Sequence, residues 1–370
     1  MKAILYNKHT PLIEVTMERK QIVNIGKVTN EELLPFILQG NLSLESINKW
    51  LSKRLIPERR EGLREVRMKF HDFDRDKHLN SLTDQYWFRL RGEKWDDINY
   101  FTNKYSEDIG NMFFTPWLVP KRYTTNSPDL TTNGALIKRW VQNEDLTSAL
   151  YKTASETYHQ EPLSEVLASI VAKKLNIIPF VEYQLAISGM ILCSKCQNFI
   201  TENTEFVPAY ELYLKDPKKQ TDTAYSHLLR LCEQYHIPNM EDFLKGMILI
   251  DSITGNTDRH LGNFGFIREV TTGKFLGPAP LFDNGTAFWC WEAKPNVKKK
   301  SRLFAREENF VLSSMKDIYK GVLNKENLDV LIEKYPLITD ERKDILKKSI
   351  QERSTLLERT KRMKERGLER

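Results

Sequence analysis

Cysteine is scarce in this chain. Four in 370 residues do not make the stapled scaffold of a small secreted protein. Cys193 and Cys196 form a CxxC in "ILCSKCQNF". A structural zinc site asks for a second matched pair, and Cys232 and Cys290 stand alone with no histidine pair to complete a set. Reduced thiols at or near a strand are the expectation. No apolar run approaches the roughly 20 residues of a membrane helix. The first residues, "MKAILYNKHTPLIEV", lack the apolar core and small-residue cleavage site of a signal peptide. A cytoplasmic protein without membrane attachment is therefore expected. An excess of one charge sign is also missing: 56 basic against 50 acidic residues leave +6, too balanced to argue for direct nucleic-acid binding. There is no internal repeat and no low-complexity tract. What is present is an ordinary globular composition, 40% apolar and 29% charged, long enough for two domains.

Read along its length, the chain opens with short strands around a proline turn, "KAILYNKHTPLIEVTMER". Helices are expected over "TNEELLPFIL" and "SLESINKWLSKRL", the second with Ser43 as N-cap and Glu45 in its first turn. Residues 70–130 are rich in aromatics, best read as packing against a neighbouring domain. From 131 to about 210 the pattern is strand-like, broken by one amphipathic helix, "EPLSEVLASIVAKKLNI", that ends in a basic turn. Helices dominate from 222 onwards, down to a charged outer helix, expected to fray, over the last 30 residues.

The densest chemistry lies in "TGNTDRHLGNFGFI", residues 254–267. The apolar helix before it, "NMEDFLKGMILIDSI", has Asn239 as its N-cap candidate and Gly255 as its stop. This puts 258–263 on a loop leaving a buried helix. "FGFI" then reads as a strand, turned back at Gly273 into "GPAPLFDNG". One hairpin thus brings Asp258 and Asn263 near Asp283. Phosphoryl transfer asks for such a set: a catalytic Asp, an Asn five residues on for one metal, and a downstream Asp-x-Gly for another. Magnesium takes hard oxygen ligands of this kind. An Asp–x4–Asn pair alone is weak, with about one expected by chance; the hairpin and Asp283-Asn284-Gly285 strengthen it.

The same chemistry needs a cation over the donor phosphates and an acid to hold it. Lys152 ends a strand-like run in "SALYKTAS", and Glu165 lies early in the following helix. Each alone is an ordinary strand-end lysine or first-turn acid. A phosphate loop is less visible. "LTTNGALIKRW" offers the single Gly134 rather than G-x-G-x-x-G. Asn133-Gly134 signals a tight hairpin between strands. The backbone N–H groups here, with Thr131 and Thr132, either cover phosphate oxygens or form a simple turn.

Taken together, "SLTDQYW", "SEDIG", "SPDLTTNGALIKRW", "LYK", "QEPLSEVLAS", "TGNTDRHLGNFG" and "GPAPLFDNG" resemble the HipA-like kinases, and within them the CtkA-like branch of bacterial Ser/Thr kinases. They span about residues 80–290. The D-R-H-x-x-N string is also similar to phosphatidylinositol kinases. The resemblance implies an α+β, two-lobed kinase fold with a smaller β-rich N-lobe, a mainly helical C-lobe and an N-terminal extension. The divisions expected are 1–120, 121–210 and 211–370. It implies ATP and magnesium, with transfer to a protein Ser or Thr hydroxyl and autophosphorylation. By motif position Asp258 is the base, Asn263 and Asp283 hold magnesium, Lys152 contacts phosphates and Glu165 orients Lys152. Thr132, Asn133 and Gly134 cover the nucleotide, and Asn198, Phe199 and Ile200 form the hinge that reads adenine. His260 either neutralises the transferring phosphoryl group or braces its loop; Arg259 is similar.

The chain departs from the family at the phosphate loop, where HipA proteins carry a regulatory serine. Here Ser127, Thr131 and Thr132 are the candidate autophosphorylation sites. A small antitoxin-like regulator enters as a candidate partner, although no helix-turn-helix or partner surface is visible. The first 80 residues match poorly. "EAKPNVKKKSRLFAR", with six Lys/Arg in fifteen, sits where kinases keep an activation loop. It is either a solvated basic loop or a dock for an acidic partner. A lipid kinase and a silent nucleotide-binding module are the alternatives. The first would want a membrane anchor, and no lipidation motif or amphipathic anchor is present.

Overall fold

The structure, a computed structural model, describes residues 1–19, 21–71, 73, 78–319, 321–323 and 325–367. Strands β1 (Lys2–Asn7), β2 (Thr10–Glu18), β3 (Gln21–Val28) and β4 (Tyr86–Arg89) form an antiparallel sheet in the order β3-β2-β1-β4. Leu5, Ile13 and Val15 bury one face of it against Ile47, Trp50 and Leu51 of α1 (Leu44–Arg54). Ser43 caps α1 as expected, in a reciprocal box with Ser46, worth about 1 kcal/mol. "TNEELLPFIL" does not form the expected helix. Pro35 has no N–H to give, and the stretch becomes two 3-10 turns, Glu31–Leu33 and Phe36–Leu38. Helices α2 (Leu63–Lys69), α3 (Trp95–Ile98) and α4 (Asp108–Phe114) complete this extension. Its aromatics pack only partly as read: Tyr100 and Tyr105 pack on Trp140 beyond the extension, Trp87 and Trp95 pack on Tyr6 within it, and Trp117 is exposed.

A second antiparallel sheet follows, ordered β5-β6-β8-β7, from β5 (Lys138–Gln142), β6 (Ser148–Thr153), β7 (Tyr183–Ser188) and β8 (Ile191–Gln197). Helix α5 (Glu161–Leu175) lies between this sheet and the C-terminal core. It is therefore buried nearly all round rather than along one stripe. Cys193 and Cys196, three residues apart in β8, face opposite sides of the sheet and join different clusters, so they cannot share a metal. Asn133-Gly134 is not the expected hairpin: the chain before it is a 3-10 turn (Pro128–Thr131), and β5 turns back into β6 only after Gln142.

The C-terminal lobe combines a sheet ordered β11-β10-β9 with helices. Its strands are β9 (Thr204–Pro208), β10 (Gly265–Glu269) and β11 (Phe275–Pro278), and its helices α6 (Ala209–Tyr213), α7 (Ala224–Gln234), α8 (Met240–Thr254), α9 (Glu308–Ser314), α10 (Lys325–Lys334) and α11 (Asp340–Gly367). Phe243, Leu244, Met247 and Ile250 of α8 sit at the centre of its core. Asn239 stands at the N-cap with φ +61° but makes no side-chain cap, contrary to the reading. Gly255 ends α8 at φ +65°, and a Cβ there would lie 2.9 Å from the Trp289 ring. The expected fraying of the last helix falls beyond the described residues. The whole is the α+β, two-lobed plan expected, with the extension bonded to both lobes. Buried Arg268 of β10 reaches Glu205, the Tyr86 hydroxyl and the Leu34 carbonyl, and Gln85 donates to the Thr201 and Thr204 carbonyls.

Candidate active site

The candidate site is built from β6 and α5 and from the loops flanking β10 and β11. Lys152, near the end of β6, reaches Glu165 Oε1 of α5 at 2.6 Å and Asp283 Oδ1 at 2.6 Å. Glu165 is sealed; its second oxygen accepts the Asn284 N–H at 2.8 Å. The Asp283 side chain is 42% exposed. Burial opposes charge at Lys152, but the two carboxylates outweigh it and hold the ammonium well above its usual range. Burial likewise opposes charge at Asp283, yet Lys152, Lys138 and Arg259 keep its carboxyl well below the ordinary range. Asp283 itself sits in the left-handed region at φ +59°, which Asp tolerates better than most residues.

Asp258 and Asn263 lie on the loop that leaves α8. The half-buried Asp258 carboxylate has no hydrogen-bond partner among the described residues, and its N–H donates to Asn256. Asn263 accepts the His260 N–H at 2.9 Å through Oδ1. His260 is exposed, and its Nδ1 accepts the Gly262 N–H at 3.0 Å, so the ring braces its own loop through one nitrogen and leaves the other outward.

Arg259 is not a phosphate-facing cation. Its side chain is fully buried and forks onto both oxygens of Asp251 at 2.8 and 2.9 Å. It also donates to the Asn263 carbonyl at 3.0 Å, the Phe282 carbonyl at 2.8 Å and Asn284 Oδ1 at 2.6 Å. One guanidinium therefore ties the 258–263 loop to the 282–284 segment, so that the hairpin delivers Asn263 and Asp283 to the same neighbourhood.

Lys138 went unnoticed in the sequence. It pairs with Lys152 across β5 and β6, and its Nζ lies 2.1 Å from where a Cβ on Gly134 would be. Burial, then Lys152 and Arg60, push its ammonium down to about 7. Register was the signal: the lysine opposite Lys152 on a two-residue period faces the same side. It connects the 132–134 loop to Lys152. Within that loop the Thr132 hydroxyl donates to the Pro128 carbonyl and accepts the Trp140 indole N–H, and Thr131 donates to the Asn80 carbonyl. Ser127, Thr131 and Thr132 are all buried, so the fold as it stands offers none of the three as a phosphate acceptor.

The connection between lobes runs through 198–203, after β8 and before β9. Asn198 N–H donates to the Ser148 carbonyl, Asn198 Nδ2 to the Leu82 carbonyl, and Ile200 N–H to Asn198 Oδ1. The Phe199 ring meets Phe282 at 5.6 Å, just before Asp283. Among the described residues no three His, Cys, Asp or Glu side chains converge as a metal cage. Since Glu165 and Asn284 Oδ1 are engaged by Lys152 and Arg259, the donors that would face magnesium are the Asp283 carboxylate and the Asn263 amide oxygen. Those are hard ligands, of the number magnesium takes when it keeps waters and phosphate oxygens.

No protein-family model matches the chain. Over 166 residues it is 30% identical to the serine/threonine-protein kinase CtkA of Helicobacter pylori (strain J99 / ATCC 700824), covering 39% of this chain and 50% of that protein. The chain thus spans about half the length of the curated relative it matches. Among solved structures, HipA in the Shewanella oneidensis MR-1 toxin–antitoxin complex with HipB and operator DNA superposes with TM-score 0.53 at 14% identity, over 96% of this chain and 97% of that one. The Helicobacter pylori proinflammatory kinase CtkA gives 0.49 at 19% identity, over 61% and 93%.

Proposed function

The chain is similar to the HipA-like and CtkA-like kinases, in sequence to CtkA and in fold to HipA, and we propose that it is an ATP-dependent Ser/Thr protein kinase that also phosphorylates itself. The observation that carries this reading is the Lys152 ammonium held between Glu165 and Asp283 at 2.6 Å each, beside a loop whose Asp258 carboxylate is unengaged among the described residues. Residues 1–120, 121–210 and 211–370 correspond in this reading to extension, N-lobe and C-lobe.

Lys152 meets the donor phosphates, and Glu165 fixes where its ammonium stands. Asp258 accepts the proton of the incoming hydroxyl. A half-buried carboxylate with no competing donor is suited to that. Asp283 and Asn263 are the residues that would hold magnesium, whose charge would neutralise the donor phosphates. Asp283 has its second oxygen to offer, and the Asn263 amide oxygen keeps one lone pair beside its bond to His260. His260 presents its outward nitrogen to the phosphoryl group while bracing the loop with the other. Adenine lies along 198–200, and Phe199 is the residue there whose N–H has no partner among the described residues. Autophosphorylation at Ser127, Thr131 or Thr132 requires the loop to open first.

The test is incubation of the purified chain with labelled ATP and magnesium, alone, with protein acceptors and with phosphatidylinositol vesicles, followed by mass spectrometry. Phosphoserine or phosphothreonine in protein is the expected outcome. Label confined to lipid would make it a lipid kinase. ATP binding without any transfer would make it a silent nucleotide-binding module.

A further inference from the structure

We propose that the N-terminal extension holds the nucleotide site in shape, and that Arg60 is the positioning residue through which it sets the 132–136 loop over the phosphates; this rests on the kinase reading above. Arg60 lies in the connection between α1 and α2, far from the loop in sequence, and is only 4% exposed. Its Nε donates to the Gly134 carbonyl at 2.8 Å and its Nη2 to the Thr132 carbonyl at 2.5 Å. The next residue continues the pattern: Glu61 N–H donates to the Ala135 carbonyl at 2.8 Å. Three loop carbonyls are thus drawn toward the extension.

In a trans peptide the carbonyl and the following N–H point opposite ways. Tying down the carbonyls of 132, 134 and 135 therefore turns the N–H groups of Asn133, Ala135 and Leu136 away from the extension. Among the described residues none of these three has an acceptor. A short run of unengaged N–H groups facing one way is an anion cradle. The Lys138 ammonium, packed against Gly134, lies at the same edge. The recognition of phosphate here is thus a property of backbone posture, and the posture is set by a guanidinium from outside both lobes. Burial lowers Arg60 to about 10, so it remains a cation at neutral pH. Its fork suits two carbonyls at once, which a lysine ammonium does not reproduce.

The experiment measures affinity for magnesium-ATP and for adenosine by calorimetry on the full chain, with melting temperature as the check on folding. Arg60→Met is expected to weaken magnesium-ATP binding roughly tenfold or more and to leave adenosine affinity within about twofold, because adenosine has no phosphates for the loop to hold. Arg60→Lys is expected to fall between. A residue that only stabilises the fold would lower the melting temperature and the active fraction without separating the two ligands. Gly134→Ala supplies the control for the loop itself: with φ +106° and Lys138 Nζ 2.1 Å from the added Cβ, it should disturb the cradle directly. If Gly134→Ala leaves magnesium-ATP affinity unchanged, the loop does not cover phosphates and the premise falls. If Gly134→Ala weakens binding and Arg60→Met does not, or if Arg60→Met weakens ATP and adenosine equally, the role given to Arg60 falls. Should Arg60→Met not fold, the same ratio measured on Arg60→Lys decides.

Discussion

Arg259 offers the sharpest test of how the site is assembled. The Arg259–Asp251 pair is almost wholly out of water, at 0% and 2% side-chain exposure. Arg259→Met leaves Asp251 as an uncompensated buried charge, a loss of about 3–5 kcal/mol. That is a large fraction of the roughly 5–15 kcal/mol by which folded proteins exceed their unfolded states. Removing both partners, Asp251→Leu with Arg259→Met, takes away the stranded charge and should recover most of that stability. Activity should not recover with it. The carbonyls of Asn263 and Phe282 and the amide of Asn284 still lack the donor that joins the two loops. Urea unfolding gives the stabilities, and phosphate release or transfer from labelled ATP gives the activities. The reasoning fails if Arg259→Met costs less than about 1 kcal/mol, since surface pairs behave that way. It fails equally if the double variant turns over at the wild-type rate, because Arg259 would then only balance a charge.

Lys138 carries two pH predictions. Burial lowers its folded pKa to about 7, well below that of a free lysine, so the unfolded chain binds more protons across that window, and stability rises with pH through it. Lys138→Met should therefore be more stable than wild type near pH 7, with the difference shrinking toward pH 10, as read from urea midpoints. Donor phosphates raise that pKa on binding, so magnesium-ATP affinity should fall as pH climbs above 7, with proton uptake seen by calorimetry in buffers of different ionisation heat and lost in Lys138→Met. An unchanged proton count in the variant would remove Lys138 from the site. Glu165→Gln keeps an acceptor for the Asn284 N–H but leaves Lys152 held by Asp283 alone. Transfer should drop roughly tenfold or more with the protein still folded; full activity would contradict the orienting role.

What could be read from the sequence was mostly local. Asp258, Asn263 and Asp283 flank one hairpin, so their spacing and the Gly273 turn convey their proximity without knowledge of the rest. Lys152 on a strand and Glu165 on the next helix are likewise neighbours in order. The Lys152–Asp283 bond joins residues 131 positions apart, and only the chemistry of phosphoryl transfer links them beforehand. Lys138 was missed because its orientation depends on strand register, and Arg60 because its role depends on where the extension docks. The sequence left Arg259 open between a phosphoryl-facing cation and a brace for its loop, since charge gives no sign of burial until the partner, Asp251 one helix back, is recognised; the brace is what the fold uses. Asn133-Gly134 misled for a different reason. Asn-Gly marks any tight turn, and Ser127-Pro128 just upstream had already committed the chain to a capped 3-10 turn. In "TNEELLPFIL" the apolar spacing suggested a helix that Pro35 does not permit.

The central claim is that Asp258 serves the chemistry while Asp283 serves the metal-bound nucleotide. Calorimetric titration of ATP into wild type, Asp258→Asn and Asp283→Asn, each with and without magnesium, tests it most directly when paired with transfer from labelled ATP. Asp258→Asn should bind ATP with near wild-type affinity and the same magnesium dependence yet transfer nothing, while Asp283→Asn should lose the gain in affinity that magnesium confers. Both variants binding and turning over like wild type, or Asp258→Asn alone losing the magnesium effect, would contradict the account.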